Sequence, residues 1–126
     1  MSAAQKRVFI IDDSETVRKN LTGILTRGGY QVFDVSDGSQ GLKRLSQERF
    51  DVLLLDIEMP GLNGFELLRI IQAGNLAQGA PILVITGKQN DLSAVHEVKK
   101  YGAAGFIDKS ASPEDLLFRI SRALSS

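Results

Sequence analysis

Five short apolar segments alternate with longer amphipathic segments along the chain. The apolar segments are Val8–Ile11, Gln31–Val35, Val52–Leu55, Ile82–Ile85 and Gly105–Ile107. The run Val52–Leu55 has no polar alternation, which is typical of a strand buried on both faces of a parallel sheet. We therefore interpret the five segments as short β-strands.

The intervening segments have the apolar spacing of helices. Gly28-Gly29 predicts the end of the first helix, Asp37-Gly38 a turn before the second, and Ser112-Pro113 the start of the fifth. The predicted buried positions are, in chain order, Val17, Leu21, Ile24 and Leu25; Leu42 and Leu45 within Gly41–Arg49; Phe65, Leu68 and Ile71; Leu92, Val95, Val98 and Tyr101; and Leu116, Leu117, Ile120 and Leu124.

The strict alternation of strand and helix predicts βαβ crossovers and an α/β fold. The expected architecture is one doubly wound, five-stranded parallel sheet with helices on both faces. No repeat, linker or low-complexity segment interrupts the sequence. We therefore expect a single domain that spans residues 1–126.

Composition and charge argue against several classes of function. Fifteen basic and fifteen acidic residues give no net charge, which disfavours direct binding of nucleic acid. The absence of cysteine excludes disulfides and thiolate metal sites. The apolar runs are too short for a signal peptide or a membrane span, so we expect a cytoplasmic protein without a membrane partner.

Polar side chains follow four of the predicted strands. Asp12 and Asp13 come after the first, Asp56 after the third, Thr86 after the fourth and Lys109 shortly after the fifth. Ligands of open α/β sheets bind at this edge, beyond the carboxyl ends of the strands. Three neighbouring carboxylates repel one another unless cations hold them. Lys109 is one such cation, and Mg²⁺ fits an all-oxygen site with few protein ligands.

Four blocks of the sequence, IIDDSETVR, LLLDIEMPGLNG, VITGK and GFIDK, resemble the signature blocks of bacterial response-regulator receiver domains of the chemotaxis-regulator type. The pattern D-x-x-M-P-x-x-x-G is matched at every defined position from Asp56 to Gly64. The resemblance runs from about Arg7 to Leu124. It implies a (βα)5 flavodoxin-like fold with strand order 2-1-3-4-5.

The resemblance also implies a role in a two-component phosphorelay. Asp56 would accept a phosphoryl group from the phosphohistidine of a histidine kinase or phosphotransfer protein. Asp12 and Asp13 would hold Mg²⁺ together with Asp56 and the main-chain carbonyl of Glu58. The loop that contains Gly64 would keep that carbonyl aimed at the metal.

Further residues would bind the phosphoryl group and pass on the signal. The resemblance implies that Thr86 and Lys109 bond the phosphoryl oxygens, and that Phe106 changes rotamer when Thr86 moves. The fourth helix, fifth strand and fifth helix would then be the face read by a downstream effector protein. Simple core packing is the alternative interpretation of Phe106.

Two charged residues flank the predicted site. Glu58 and Lys88 lie two positions after Asp56 and Thr86, and their opposite charges predict a pair across the mouth of the site. We predict that this pair obstructs the hydrolytic water and prolongs the life of the phosphorylated form. Gly87, between Thr86 and Lys88, would leave room for the phosphoryl donor.

One residue departs from the family pattern, and one histidine lies apart from the predicted site. Serine follows Lys109 where the family commonly has proline, which leaves open the conformation of the Lys109–Ser110 peptide. His96, the only histidine, lies within a predicted helix far in sequence from the acids, so we interpret it as a surface residue.

Each alternative function requires a feature that distinguishes it from a receiver domain. A phosphatase of the haloacid-dehalogenase type needs a second acid two residues after its nucleophile, but Ser14 stands there after Asp12, and Glu15 after Asp13 is a poor match. A pseudo-receiver would bind partners without phosphorylation, and a transcription factor would need a DNA-binding domain after Ser126. We expect a phosphoacceptor that is not otherwise an enzyme and that catalyses only its own phosphorylation and dephosphorylation.

Overall fold

Five strands and five helices alternate in a computed structural model, which describes residues 5–59, 64–87 and 92–125, the side chains of 92–95 excepted. In chain order they are β1 (Arg7–Ile11), α1 (Glu15–Arg27), β2 (Gln31–Val35), α2 (Gly38–Gln47), β3 (Val52–Asp56), α3 (Gly64–Ala73), β4 (Ile82–Thr86), α4 (Leu92–Lys100), β5 (Gly105–Asp108) and α5 (Pro113–Leu124).

All five strands are parallel and lie in the order β2-β1-β3-β4-β5. The predicted fold class and strand order are therefore confirmed. The strand order reverses direction between β1 and β3, which makes the carboxyl ends of these two central strands the expected site of a ligand. At that edge Asp56 is in register with Ile85, and Thr86 with Asp108.

The sheet separates two hydrophobic cores, because successive side chains of each strand point to opposite faces. Leu53 and Leu55 of β3 belong to the core under α2, α3 and α4. Val52 and Leu54 belong to the core under α1 and α5. β3 and β4 are buried along their whole length, as the unbroken apolar runs predict.

Side-chain caps fix the starts of three helices. Ser14, Asp37 and Ser112 each accept a hydrogen bond from the main-chain N–H three residues later. The predicted bounds of the second helix were wrong: it runs from Gly38 to Gln47 rather than over Gly41–Arg49. Asp37 does not form a separate turn, since its carboxylate caps the helix that begins directly after it.

Smaller differences concern the other elements. β1 begins one residue earlier than predicted, and β3, β4 and β5 each extend one residue further, so Asp56, Thr86 and Asp108 are strand residues. In α5 the predicted Leu116 and Ile120 are buried, whereas Leu117 and Leu124 are only partly buried.

Across the described part of the chain, no helix has both the length and the apolar character needed to cross a bilayer.

Candidate functional site

Three carboxylates meet at the carboxyl edge of the sheet, as the sequence predicts. Asp12 and Asp13 lie in the turn between β1 and α1, and Asp56 ends β3. One carboxylate oxygen from each lies within 4.8 Å of the other two. Asp12 and Asp56 are fully buried, whereas Asp13 is exposed.

Among the described residues, the two buried carboxylates find hydrogen-bond partners on one oxygen only. Oδ1 of Asp12 accepts from the N–H of Ser14 at 2.9 Å, and Oδ1 of Asp56 accepts from the N–H of Glu58 at 2.8 Å. The Oδ2 atoms of Asp12 and Asp56 have no hydrogen-bond partner among the described residues. Burying a carboxylate oxygen without a partner is costly. Two such oxygens beside a third carboxylate form a donor set that fits a hard divalent cation such as Mg²⁺.

The buried position changes the acidity of Asp56. Burial, helped by the nearby charge of Asp12, raises the pKa of its carboxyl to about 6, although the N–H of Glu58 and the ammonium of Lys109 oppose the increase. Asp56 is therefore ionised at neutral pH, but its negative charge is poorly stabilised. A cation that binds beside it relieves this cost.

Lys109 brings a positive charge to the same carboxylate. Its Nζ lies 3.5 Å from Oδ1 of Asp56 and 4.0 Å from Oε1 of Glu58. Burial lowers the pKa of Lys109, but the surrounding carboxylates outweigh burial and raise it overall, so the ammonium stays protonated. The described residues contain no cis peptide bond, so the Lys109–Ser110 bond is trans.

Glu58 has contacts that the sequence did not predict. Its Oε1 accepts hydrogen bonds from the N–H of Gly87 at 2.5 Å and from the hydroxyl of Thr86 at 3.3 Å. The predicted pair with Lys88 lies outside the described residues. The described contacts nevertheless place Glu58 across the mouth of the site, against the end of β4.

Phe106 lies on β5 beside Val84 and is partly buried against the core under α4. It also lines a groove of about 370 Å³ between β5 and α5, whose other walls include Phe118 and Arg119. Arg119 donates a hydrogen bond to the main-chain oxygen of Phe106 at 3.2 Å. The side chain thus combines the predicted core packing with access to the surface.

Sequence reasoning missed Arg18, although it lies in the first signature block. Its Nη1 donates to the main-chain oxygen of Asp12 at 2.8 Å, and its Nε donates to the carboxylate of Asp34 on β2 at 3.1 Å. Arg18 therefore fixes the turn that carries the acid pair. The sequence signal that could have identified Arg18 is its position one helical turn after Ser14, the N-cap of α1.

His96 is exposed on α4, as the sequence indicates.

The chain resembles several known proteins over nearly its whole length. PilH of Pseudomonas aeruginosa is 35% identical over 119 residues, which are 94% of this chain and 98% of PilH. The crystallised chemotaxis protein CheY4 of Vibrio cholerae is 32% identical and superposes with a TM-score of 0.90, covering 96% of this chain and 100% of that structure. The chain spans about half the length of the mycobacterial DNA-binding response regulators named MtrA, to which it is 30% identical.

A fourth similar protein shares the fold. The receiver domain of sensor histidine kinase PA1611 from Pseudomonas aeruginosa, solved with a magnesium ion coordinated in its active-site cleft, shares the fold with a TM-score of 0.88. It is 23% identical to this chain, and the match covers 98% of this chain and 100% of that domain.

Residues 8–121 match the family described as response regulator receiver domain. Because this match covers most of the sequence, the chain belongs to the response-regulator receiver family, the phosphoacceptor domains of two-component signalling.

Proposed function

We propose that Asp56 is the phosphoacceptor of a single receiver domain over residues 1–126. The observation that carries this assignment is the buried Asp56 carboxylate, which has one oxygen without a hydrogen-bond partner among the described residues and stands 3.5 Å from the ammonium of Lys109. A nucleophile for phosphorus has to be ionised, to have an oxygen that is not engaged in a hydrogen bond, and to be flanked by positive charge. Asp56 has this combination.

Asp12, Asp13 and Asp56, with the main-chain carbonyl of Glu58, are the proposed ligands of Mg²⁺. The clustered carboxylate oxygens support this assignment, as do the Oδ2 atoms of Asp12 and Asp56, for which the described part of the chain offers no hydrogen-bond partner. The receiver domain of PA1611, which has a similar fold, coordinates a magnesium ion in its active-site cleft. When bound, Mg²⁺ offsets the repulsion among the carboxylates and the negative charge of the phosphoryl oxygens.

The reaction is a displacement at phosphorus. An oxygen of Asp56 forms a bond to phosphorus while the bond from phosphorus to the imidazole nitrogen of the donor breaks; the nitrogen keeps the electron pair. Thr86 and Lys109 bind the phosphoryl oxygens by hydrogen bonding and charge. In the return step water attacks phosphorus, releases phosphate and restores Asp56. We expect Glu58 and Lys88 to hinder that water, so that the acyl phosphate is long-lived.

The proposed output face consists of α4, β5 and α5 and binds an effector protein. Phosphorylation would draw Thr86 toward the site and allow Phe106 to change rotamer. The exposed ring of Phe118 (58% exposed) and the groove beside Phe106 support this face as a docking surface. The zero net charge supports a protein rather than a nucleic acid as partner. A cytoplasmic location stays a prediction.

Incubation with acetyl phosphate and Mg²⁺ tests the phosphoacceptor directly by intact mass. We expect the parent protein to gain the mass of one phosphoryl group and Asp56→Asn to gain none. Asp51→Asn is the matched control, because Asp51 is another carboxylate near β3 whose oxygen accepts from the N–H of Arg7 at 2.7 Å, far from the site. An undiminished gain in Asp56→Asn would contradict the assignment. No gain in the parent protein would favour a binding module that works without phosphorylation.

Removal of Arg18 is expected to weaken Mg²⁺ binding about ten-fold, which is the usual effect of losing a group that positions a metal ligand. The reason is that Arg18→Ala frees the main chain of Asp12 from its link to Asp34. Isothermal titration with MgCl₂ measures the change. Lys19→Ala is the control, because Lys19 is the next residue on α1 and pairs only with Glu15 among its described contacts. Equal affinities for the two variants would show that Arg18 does not position the site.

A further inference from the structure

Glu58 already satisfies a set of anion-binding groups at the site. One oxygen, Oε1, accepts from the N–H of Gly87 and the hydroxyl of Thr86, and lies 4.0 Å from Nζ of Lys109. The side chain is 27% exposed, so it reaches this position from the rim of the site. A main-chain N–H, a hydroxyl and an ammonium that converge on one oxygen are a typical binding arrangement for an anion.

Two of these three groups are also those that a phosphoryl group on Asp56 requires. Lys109 lies between the two carboxylates, 3.5 Å from Asp56 and 4.0 Å from Glu58. Thr86 and Lys109 are the proposed ligands of the phosphoryl oxygens. Two anions do not share these donors at full strength, since each N–H or hydroxyl proton makes one good hydrogen bond.

We propose that Glu58 is an internal competitor of the phosphoryl group, which occupies the phosphoryl-binding donors in the unmodified protein and is displaced when Asp56 is phosphorylated. This inference rests on the proposed function of Asp56. Glu58 acts here as a positioning residue: it holds Thr86 and Gly87 in place before the reaction. It also slows the reaction, because its hydrogen bonds have to break before the donors accept new oxygens.

Shortening the side chain of residue 58 distinguishes competition by direct contact from a general effect of negative charge. Glu58→Asp keeps the negative charge but shortens the side chain by one methylene, so its carboxylate no longer reaches the N–H of Gly87 from the same backbone position. Glu58→Ala removes both the charge and the contact. If contact matters, the two variants behave alike; if only the field of the charge matters, Glu58→Asp behaves like the parent protein.

The test is the rate of phosphorylation by acetyl phosphate at a fixed Mg²⁺ concentration, followed by intact mass. We expect Glu58→Ala and Glu58→Asp each to react about ten-fold faster than the parent protein, the effect of losing one charge-assisted hydrogen bond. Glu15→Ala is the control for loss of one glutamate charge at this end of the sheet; Glu15 is exposed and pairs with Lys19 at 3.3 Å. It is expected to react at the parent rate.

Amide NMR of the unmodified proteins tests the contact independently of the reaction. The Gly87 proton is expected far downfield in the parent protein and in Glu15→Ala, and to move upfield in both Glu58 variants. Parent-like rates for Glu58→Asp, or an unmoved Gly87 resonance, would overturn the competitor role while leaving Asp56 as phosphoacceptor. Absence of phosphorylation in the parent protein would overturn the proposed function, and the competitor role with it.

Discussion

Gly64→Ala is expected to destabilise the domain by about 3 kcal/mol or more, a loss at the upper end for overpacking a core position. Gly64 is the first residue of α3 and lies directly against the end of β3. A Cβ atom there would stand 2.5 Å from the carbonyl oxygen of Asp56 and 2.9 Å from the nitrogen of Ile57, and closer still to Cα of Ile57. These are main-chain atoms of a buried segment, so no side-chain rotation relieves the clash.

Chemical denaturation followed by circular dichroism measures this loss. Gly23→Ala is the matched control, because Gly23 also lies in a helix, and the nearest described atom to its added Cβ would be Nη1 of Arg27 at 3.4 Å. That substitution is expected to stabilise the domain by up to about 1 kcal/mol through helix propensity. Equal unfolding free energies for the two variants would show that α3 does not press against the strand that carries Asp56.

Asp56→Asn is expected to stabilise the protein at neutral pH by about 2–3 kcal/mol in the presence of a chelator. Folding buries the Asp56 carboxyl and raises its pKa from 3.8 to about 6. A difference of about 2 between the two pKa values corresponds to about 3 kcal/mol that opposes folding once the group is ionised in both states. Asparagine carries no charge and avoids this cost.

The sign of the pH dependence follows from the raised pKa. Well below pH 3.8 the group is protonated in both states and imposes no penalty. As the pH rises from about 4 to about 6, the unfolded state ionises first, so this group lowers the stability of the fold, and its effect is constant above that window. The parent protein is therefore expected to lose stability across this range relative to Asp56→Asn.

Denaturant titrations at pH 4, 5, 6 and 7.5 on both proteins provide the measurement. Asp51→Asn reports the effect of removing a carboxylate elsewhere. Mg²⁺ is expected to stabilise the parent protein more than Asp56→Asn, because a ligand stabilises the state that binds it. A constant difference between parent and Asp56→Asn at all four pH values would contradict the effect of burial on Asp56.

The sequence predicts the fold well because local and long-range signals agree. The apolar runs at β3 and β4 are fully buried strands, and Ser112 with Pro113 starts α5 as expected. The second helix was misplaced because Gly38 looks like a turn residue until the carboxylate of Asp37 is seen to cap the helix. Such a cap outweighs the weak helix propensity of glycine at a first turn.

The site is only partly predictable, for a physical reason. Parallel strands bring their carboxyl ends to one edge, so the meeting of Asp12, Asp13 and Asp56 follows from topology alone. The hydrogen bonds of Glu58 and Arg18 depend instead on the paths that their long side chains take across neighbouring loops. Their partners, the N–H of Gly87 and the carbonyl of Asp12, are main-chain groups that carry no residue-specific signal in a sequence.

The division of the apolar interior by the sheet has a consequence for recognition. α4 rests on one interior layer through Val98, α5 rests on the other through Leu116 and Ile120, and β5 contributes Phe106 to the first layer and Ile107 to the second. A protein that grips α4 and α5 together therefore touches both halves of the molecule at its margin. With α4, β5 and α5 as the proposed output face, such a partner would contact elements that are anchored in both layers, so a displacement of either layer would change the surface that it binds.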